Sequence, residues 1–272
     1  MIRKLYPYGK KKAFNVTYDD GVEQDVRFVK FLNQYGLKGT FNLNSALSES
    51  GFEWTHESGR VIKRLSPDIM PALYAGHEVA SHTLTHPYMY CLTKEEILHQ
   101  LAADKENLQQ LFSKEIKGFA VPFDFYSDLI AQCVEECGFA YARISEESYS
   151  FAPQDDVYHW RATVFHCSDE LDGLTQRFLE NDEELAVFQI VGHSYDLDVE
   201  NKWDLMERIF ALVSKQEDVL PMTTLEIIEY LKAMHQAEIT EQYIQNHSSI
   251  PLWFSCGHEI YNVLPQQILA LS

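Results

Sequence analysis

Short apolar, β-prone runs alternate with longer amphipathic stretches from Ala13 to about Tyr230. The runs Ala13–Tyr18, Gly39–Leu43, His77–Ser81, Gly118–Val121, Phe139–Arg143, Val157–Val164, Leu185–Val191 and, more weakly, Val219–Met222 predict strands. Between them, apolar residues recur three and four apart in Val22–Gln34, Thr93–Phe112, Ser127–Glu136, Ser168–Glu180 and Lys202–Lys215, which predicts helices that bury one face. Thr93 and Glu96 have capping-box spacing, Ser66-Pro67 supplies a cap and a first-turn proline, and Gly36 and Gly138 close the preceding helices. Such alternation argues for parallel strands joined by crossover helices. Seven or eight units fit an α/β fold, a distorted (β/α) barrel, whose working residues belong at the C-terminal ends of strands and in the loops after them.

The pattern changes beyond a further helix at Thr223–Ala237, where Ser249–Val263 reads as a hairpin around Cys256-Gly257-His258. The expected division is a barrel over residues 1–238 and a small C-terminal β appendage over 239–272, packed on the barrel. A chain of 272 residues with 46% hydrophobic content is long enough for one large core, and it is neither disordered nor low in complexity. Its 22 Lys and Arg against 41 Asp and Glu leave a formal charge of -19, a field that repels nucleic acid and anionic lipid. Neither is an expected partner, whereas a homo-oligomer is compatible. Met1–Lys12 is basic but leads into no signal-type apolar segment, and no run is long enough to span a bilayer, so a cytoplasmic address is expected. The five cysteines are scattered and fit reduced thiols; Cys133 and Cys137, four apart, lack a second ligand pair for zinc.

Three strand ends carry candidate chemistry. Thr17-Tyr18-Asp19-Asp20-Gly21 crowds two carboxylates, an arrangement that is costly unless a cation or a proton separates their roles, although Asp-Gly is also an ordinary turn pair. His82-Thr83-Leu84-Thr85-His86 follows the third run; histidines four apart face the same way on one helical turn. With a carboxylate they form a set suited to zinc or a similar divalent ion, and without one they are two surface histidines near Pro87. Gly192-His193-Ser194-Tyr195-Asp196 follows Leu185–Val191, and His193 is a candidate general acid or else a structural hydrogen-bonding residue. Together the three describe metal-assisted hydrolysis. Tyr195, Trp160 and Phe125 are candidates to stack on a sugar face, with core packing as the competing role.

In order and spacing, Thr17–Gly21, His82–His86, Gly118–Asp124 and Gly192-His193-Ser194 resemble the polysaccharide deacetylase family, carbohydrate esterase family 4, over roughly residues 10–235. The resemblance implies Asp19 as general base, Asp20, His82 and His86 as ligands of one divalent ion, and His193 as general acid. Zinc is the first expectation for the ion, with cobalt, nickel or manganese as alternatives. It also implies that the Phe123 backbone N–H helps hold an oxyanion, and that the substrate is an acetylated amino sugar or glycan. Hydrolysis of another small C–N amide and a weakened binding protein are the competing readings. One departure stands out: the family's third motif begins with an arginine, and Ala120 occupies that place here. Arg161, in Tyr158-His159-Trp160-Arg161-Ala162-Thr163, is the expected replacement, with a surface arginine on an alternating strand as the competing reading, and His166 or Asp169 is expected near the metal pocket.

Overall fold

The computed structural model describes residues 2–123 and 125–271. Asp124, at the end of the third family motif, lies outside the described residues. The strand Lys12–Asp19 is buried along its whole length and forms the centre of a nine-stranded parallel sheet. One edge pairs with Ala186–Gly192. The other pairs with Gly39–Leu43 over Val16–Asp19 and leaves its first half to Val219–Pro221. Beyond Gly39–Leu43 the order continues through Glu78–Ser81, Gly118–Ala120, Tyr141–Glu147 and Trp160–Ala162.

The segment after Trp160 bends the sheet into a nearly closed barrel. Trp160–Ala162 pairs with Tyr141–Glu147, whereas Val164–Phe165, two residues on, pairs with Ala186–Gly192 at the opposite end of the strand order. Thr163 joins them, its N–H donating to Gln189 O at 2.8 Å. The single strand expected over Val157–Val164 is therefore two short strands preceded by a 3-10 turn at Val157–His159. The Asp156 carboxylate caps that turn by accepting from the Tyr158 and His159 N–H groups, which competes with extended pairing there.

Crossover helices cover the outside with the predicted periodicity. Lys94–Phe112 begins at a complete Thr93/Glu96 capping box and buries Ile97, Leu101, Asp104 and Leu108. Asp25–Gln34 buries Phe28, Val29 and Leu32, and Phe28 stacks on Tyr18 with ring centroids 3.9 Å apart, so the helix packs directly behind the C-terminal end of the strand Lys12–Asp19. Inside the barrel a polar network lies beneath the strand ends: Gln189 donates to Asn15 (2.7 Å) and Thr224 (2.8 Å) and accepts from Trp160 Nε1 (2.9 Å). These paired groups fix register without leaving those side-chain groups unsatisfied.

The C-terminal segment forms two three-stranded sheets. Leu252–Cys256 and Glu259–Val263 make the expected hairpin, and Ile2–Leu5 pairs antiparallel with Leu252–Cys256, so the chain's first strand joins its last region. Ala237–Ile239, Tyr243–Asn246 and Ile268–Ala270 form the other sheet. A separate apolar cluster joins Ile244, Leu252, Phe254 and Val263 to Ile227, Leu231 and Met234 of the helix Thr224–His235 and to Ala13, Tyr141 and Trp160 at the starts of barrel strands. The appendage thus closes the N-terminal end of the barrel, leaving the C-terminal end open. No described helix is long and apolar enough to cross a membrane.

Candidate active site

The strand Lys12–Asp19 ends in Asp19, and the chain turns sharply there: Asp20 has φ 85° and Gly21 φ 62°. The Asp20 N–H donates to Asn42 O at 3.0 Å, which ties the turn to the next strand. Asp19 is buried and its Oδ1 accepts from Asn42 Nδ2 at 2.7 Å and from the guanidinium of Arg143. Burial alone would raise its pKa, but Arg143, with help from His82 and His193, holds it below the ordinary carboxylate value.

Arg143 supplies what Ala120 lacks. The two residues are register partners in adjacent parallel strands, so a guanidinium from the neighbouring strand reaches the position over Asp19. Arg161, the expected substitute, is placed elsewhere: it points out of the short strand Trp160–Ala162, exposed, and lines a separate surface cavity with Gln154 and Asp156. The β alternation explains this, since Trp160 and Ala162 take the buried face and Arg161 takes the other. Asp169 is likewise exposed, whereas His166 is buried behind the site, bonded to Tyr18 OH at 2.7 Å through Nδ1.

Asp20, His82 and His86 offer ligand atoms that all lie within 4.8 Å of one another. His82 follows Glu78–Ser81, and its N–H donates to Leu43 O at 2.8 Å. Its Nδ1 lies 2.9 Å from Ala120 O; a carbonyl only accepts, so Nδ1 carries the proton and Nε2 keeps its lone pair. Burial pushes His82 down to about 4, and burial also lowers His86 despite the Asp20 charge, so both rings are neutral, the ligand form, at pH 7. The pair does not sit on a helical turn as the spacing suggested. Residues 82–86 form an irregular bend with φ 71° at Thr83 and φ 53° at His86, closed by His86 N–H on Thr83 Oγ1 at 3.1 Å. Two imidazoles and a carboxylate within this distance of one another fit a divalent ion of the zinc type.

His193 sits between the strand Ala186–Gly192 and the short helix Ser194–Val199. Its Nδ1 meets Asp196 Oδ2 at 2.9 Å, and Asp196 also lies 3.6 Å from His166 Nε2. Burial opposes a charged imidazole, but the Asp196 hydrogen bond and the carboxylates of Asp20 and Asp19 outweigh it and raise His193 to about 9. Asp196 was not singled out from the sequence, although its position three residues after His193 was a readable signal. Behind His193, Ser194 Oγ donates to Asp25 (2.5 Å), which also accepts from Tyr74 OH (2.6 Å). Burial pushes Asp25 up to about 7.

A cavity of about 330 Å³ brings Asp19, Asp20, His82, His86, Phe123, Arg143, His193 and Tyr195 together. Phe123, at φ 58° and 39% exposed, stacks on Tyr88 (3.9 Å) and meets His86 edge-on (4.5 Å). Tyr195 stacks on His193 at 5.0 Å and meets Trp54 edge-on at 5.4 Å. Trp160, by contrast, is a buried core side chain.

The profile of the polysaccharide deacetylase family matches residues 7–142, half of the chain. Among curated proteins, the uncharacterized protein YlxY of Bacillus subtilis is 27% identical over 110 residues, covering 40% of this chain and 30% of that protein. Among solved structures, a Mycobacterium smegmatis protein described as a polysaccharide deacetylase superposes with TM-score 0.62 at 16% identity, covering 86% of this chain and 94% of that one. Peptidoglycan deacetylase PdaC of Bacillus subtilis gives 0.55 at 14% identity, covering 83% and 94%. A mutant of BA3943, a CE4 family pseudoenzyme with restored activity, gives 0.54 at 17%, covering 83% and 70%, so this fold hosts both active and inactive sites. The profile match, with the strand-end geometry above, shows that the chain belongs to the polysaccharide deacetylase family.

Proposed function

We propose that the protein is a metal-dependent hydrolase that removes an acyl group, acetyl first, from an amino sugar or glycan. The observation that carries this reading is the convergence of Asp20, His82 and His86 within 4.8 Å of one another in a cavity that also holds Asp19 and His193. Asp20, His82 and His86 would hold the ion, zinc first, with cobalt, nickel or manganese as alternatives. When bound, it would supply Lewis acidity that lowers the pKa of water and polarises an acyl carbonyl.

The chain's own groups divide the remaining work. Asp19, kept ionised by Arg143, takes a proton from the attacking water at its carboxylate. His193, kept protonated through Asp196, donates from Nε2 to the departing amine or alkoxide, because Nδ1 is committed to the aspartate. The Phe123 backbone N–H is assigned to the oxyanion, and the Tyr195 ring to one wall of the substrate cavity. Arg161 has no part in the reaction.

The net charge of -19 favours a neutral acetylated sugar over a polyanionic glycan. Acetate release from a panel of N- and O-acetylated sugars, after chelator treatment and with zinc, cobalt, nickel or manganese restored, tests the proposal. Metal-dependent release supports it. Full activity after exhaustive chelation, or none on any acetylated sugar with any of these ions, overturns it.

A further inference from the structure

Asp20 holds its carboxylate over the site from a backbone conformation that L-residues with side chains rarely adopt, φ 85°. The barrel alone does not hold it there. The antiparallel hairpin of Glu53–Thr55 and Val61–Lys63 runs back across the turn and is sewn to it on both sides of Val22. Leu65 N–H donates to Gly21 O at 2.8 Å, Glu23 N–H donates to Lys63 O at 3.0 Å, and Val22 bridges Arg64. The residue leaving the hairpin, Arg64, then turns inward. Its Nη1 donates to the Asp20 carbonyl and, at 2.9 Å, to Asp20 Oδ1, with only 4% of its side chain exposed. Trp54 of the same hairpin lies over the guanidinium, 5.1 Å from ring centroid to Cζ.

Placing a buried cation on a carboxylate meant for a metal opposes that metal by charge. It also grips the carbonyl and the carboxylate of one residue together, which fixes both the strained backbone and the carboxylate orientation. Among the described residues, Arg64 is the only side chain that donates a hydrogen bond to the Asp20 carboxylate, so no other such donor would keep it oriented once Arg64 were removed.

We propose that Arg64, delivered by the Glu53–Lys63 hairpin and backed by Trp54, is a positioning residue that clamps Asp20 in its ligand geometry, so that this excursion from the barrel sets the affinity of the metal site. The proposal rests on the reading of Asp20 as a ligand. Groups that orient ligands from outside the coordination sphere are worth about 10–100-fold in affinity. We expect that gain to outweigh the charge repulsion, because the guanidinium is itself hydrogen-bonded to the Asp20 carboxylate.

The test is zinc binding by competition calorimetry on the chelator-stripped full chain, with thermal unfolding of each metal-free protein recorded alongside. Arg64→Met is expected to bind zinc about 10–100-fold more weakly, and Arg64→Lys, which keeps a donor and the charge, to recover part of that loss. Trp54→Ala, which leaves Arg64 in place but unbacked, is expected to lose several-fold and serves if Arg64→Met does not fold. Unchanged or tighter binding in Arg64→Met, or unchanged binding in Trp54→Ala if the former does not fold, overturns the clamp while leaving the metal site standing. A wild-type protein that binds no zinc, or binds it equally well as His82→Ala, removes the ligand assignment itself and the clamp with it.

Discussion

Replacing Arg143 by Met removes the guanidinium from Asp19 and leaves a carboxylate with 7% side-chain exposure facing the 3%-exposed position that held its counter-charge. Breaking a buried ion pair from one side costs about 3–5 kcal/mol, because the remaining charge stays uncompensated. Asn42 Nδ2 remains as the other donor to Asp19, which keeps the carboxylate oriented but does not neutralise it. For a chain of this size, about 2–4 °C per kcal/mol places the expected fall in Tm at roughly 6–20 °C at pH 7. The sign of the pH effect follows from the two opposing influences on Asp19. In the native protein Arg143 outweighs burial and Asp19 titrates below its ordinary value, so the stabilisation is present at neutral pH and lost as pH falls through that depressed pKa. In Arg143→Met burial loses its main opponent and the pKa of Asp19 rises. The acid limb of kcat/KM therefore moves to higher pH, and turnover falls about tenfold for each pH unit below the new pKa. Thermal unfolding and a pH–rate profile on one acetylated sugar read both effects. Arg161→Ala is the control, with Tm and turnover unchanged because that side chain is exposed and outside the cavity. An Arg143→Met protein with an unmoved acid limb, or an Arg161→Ala protein that loses turnover, refutes the assignment of Arg143 as the residue that steadies the base.

Three further outcomes are expected. Asp196→Asn removes the charge that helps raise His193 to about 9, so His193 loses its proton at lower pH; the basic limb of the profile should move down and, if the pKa returns to its ordinary 6.5, turnover at pH 8 should fall about 30-fold, while an unmoved basic limb would exclude His193 as the acid. Asp104, buried and raised from 3.8 to about 7 by burial, accepts from the Ser45 N–H and Ser81 Oγ, so the native state binds a proton that the unfolded chain releases and stability is lost as pH rises from about 4 to 7. At about 1.4 kcal/mol per pH unit the difference is on the order of 4 kcal/mol at pH 8; Asp104→Asn should flatten urea-unfolding stability over that range, and an unchanged pH slope would contradict it. Tyr230→Phe removes the hydroxyl that donates to Leu5 O (2.6 Å) and accepts from Trp253 N–H (3.1 Å), so it should lower Tm yet leave kcat/KM unchanged, because the appendage closes the end of the barrel away from the site.

The elements that the sequence showed most clearly are those whose period decides them alone. Gly39–Leu43 and Lys94–Phe112 have an unbroken apolar alternation or stripe with a turn or capping box at the boundary. Asp19, Asp20, His82 and His193 were legible because each stands at the end of such a strand, and the fold gathers strand ends. Pairing across strands was not legible. Arg143 lies at the C-terminal end of the predicted run Phe139–Arg143, but its reach to Asp19 depends on its register with Ala120, which no local pattern encodes. Arg161 looked equivalent in charge and strand character, and only the alternation imposed by buried Trp160 and Ala162 turns it outward. The Glu53–Lys63 hairpin carries a Ser58-Gly59 turn signal, but its strands of three residues are too short for a period to register. Ile2–Leu5 pairs with residues some 250 positions away, a contact that only the folded chain reveals.

The measurement that tests the central claim most directly is anomalous diffraction at the zinc edge from crystals of the full chain grown with zinc. One peak is predicted, about 2.0–2.2 Å from a carboxylate oxygen of Asp20 and from one ring nitrogen each of His82 and His86. Asp19 and His193 should lie outside that coordination sphere. No peak among these three side chains, or a zinc held instead by Asp19 or His193, would contradict the account.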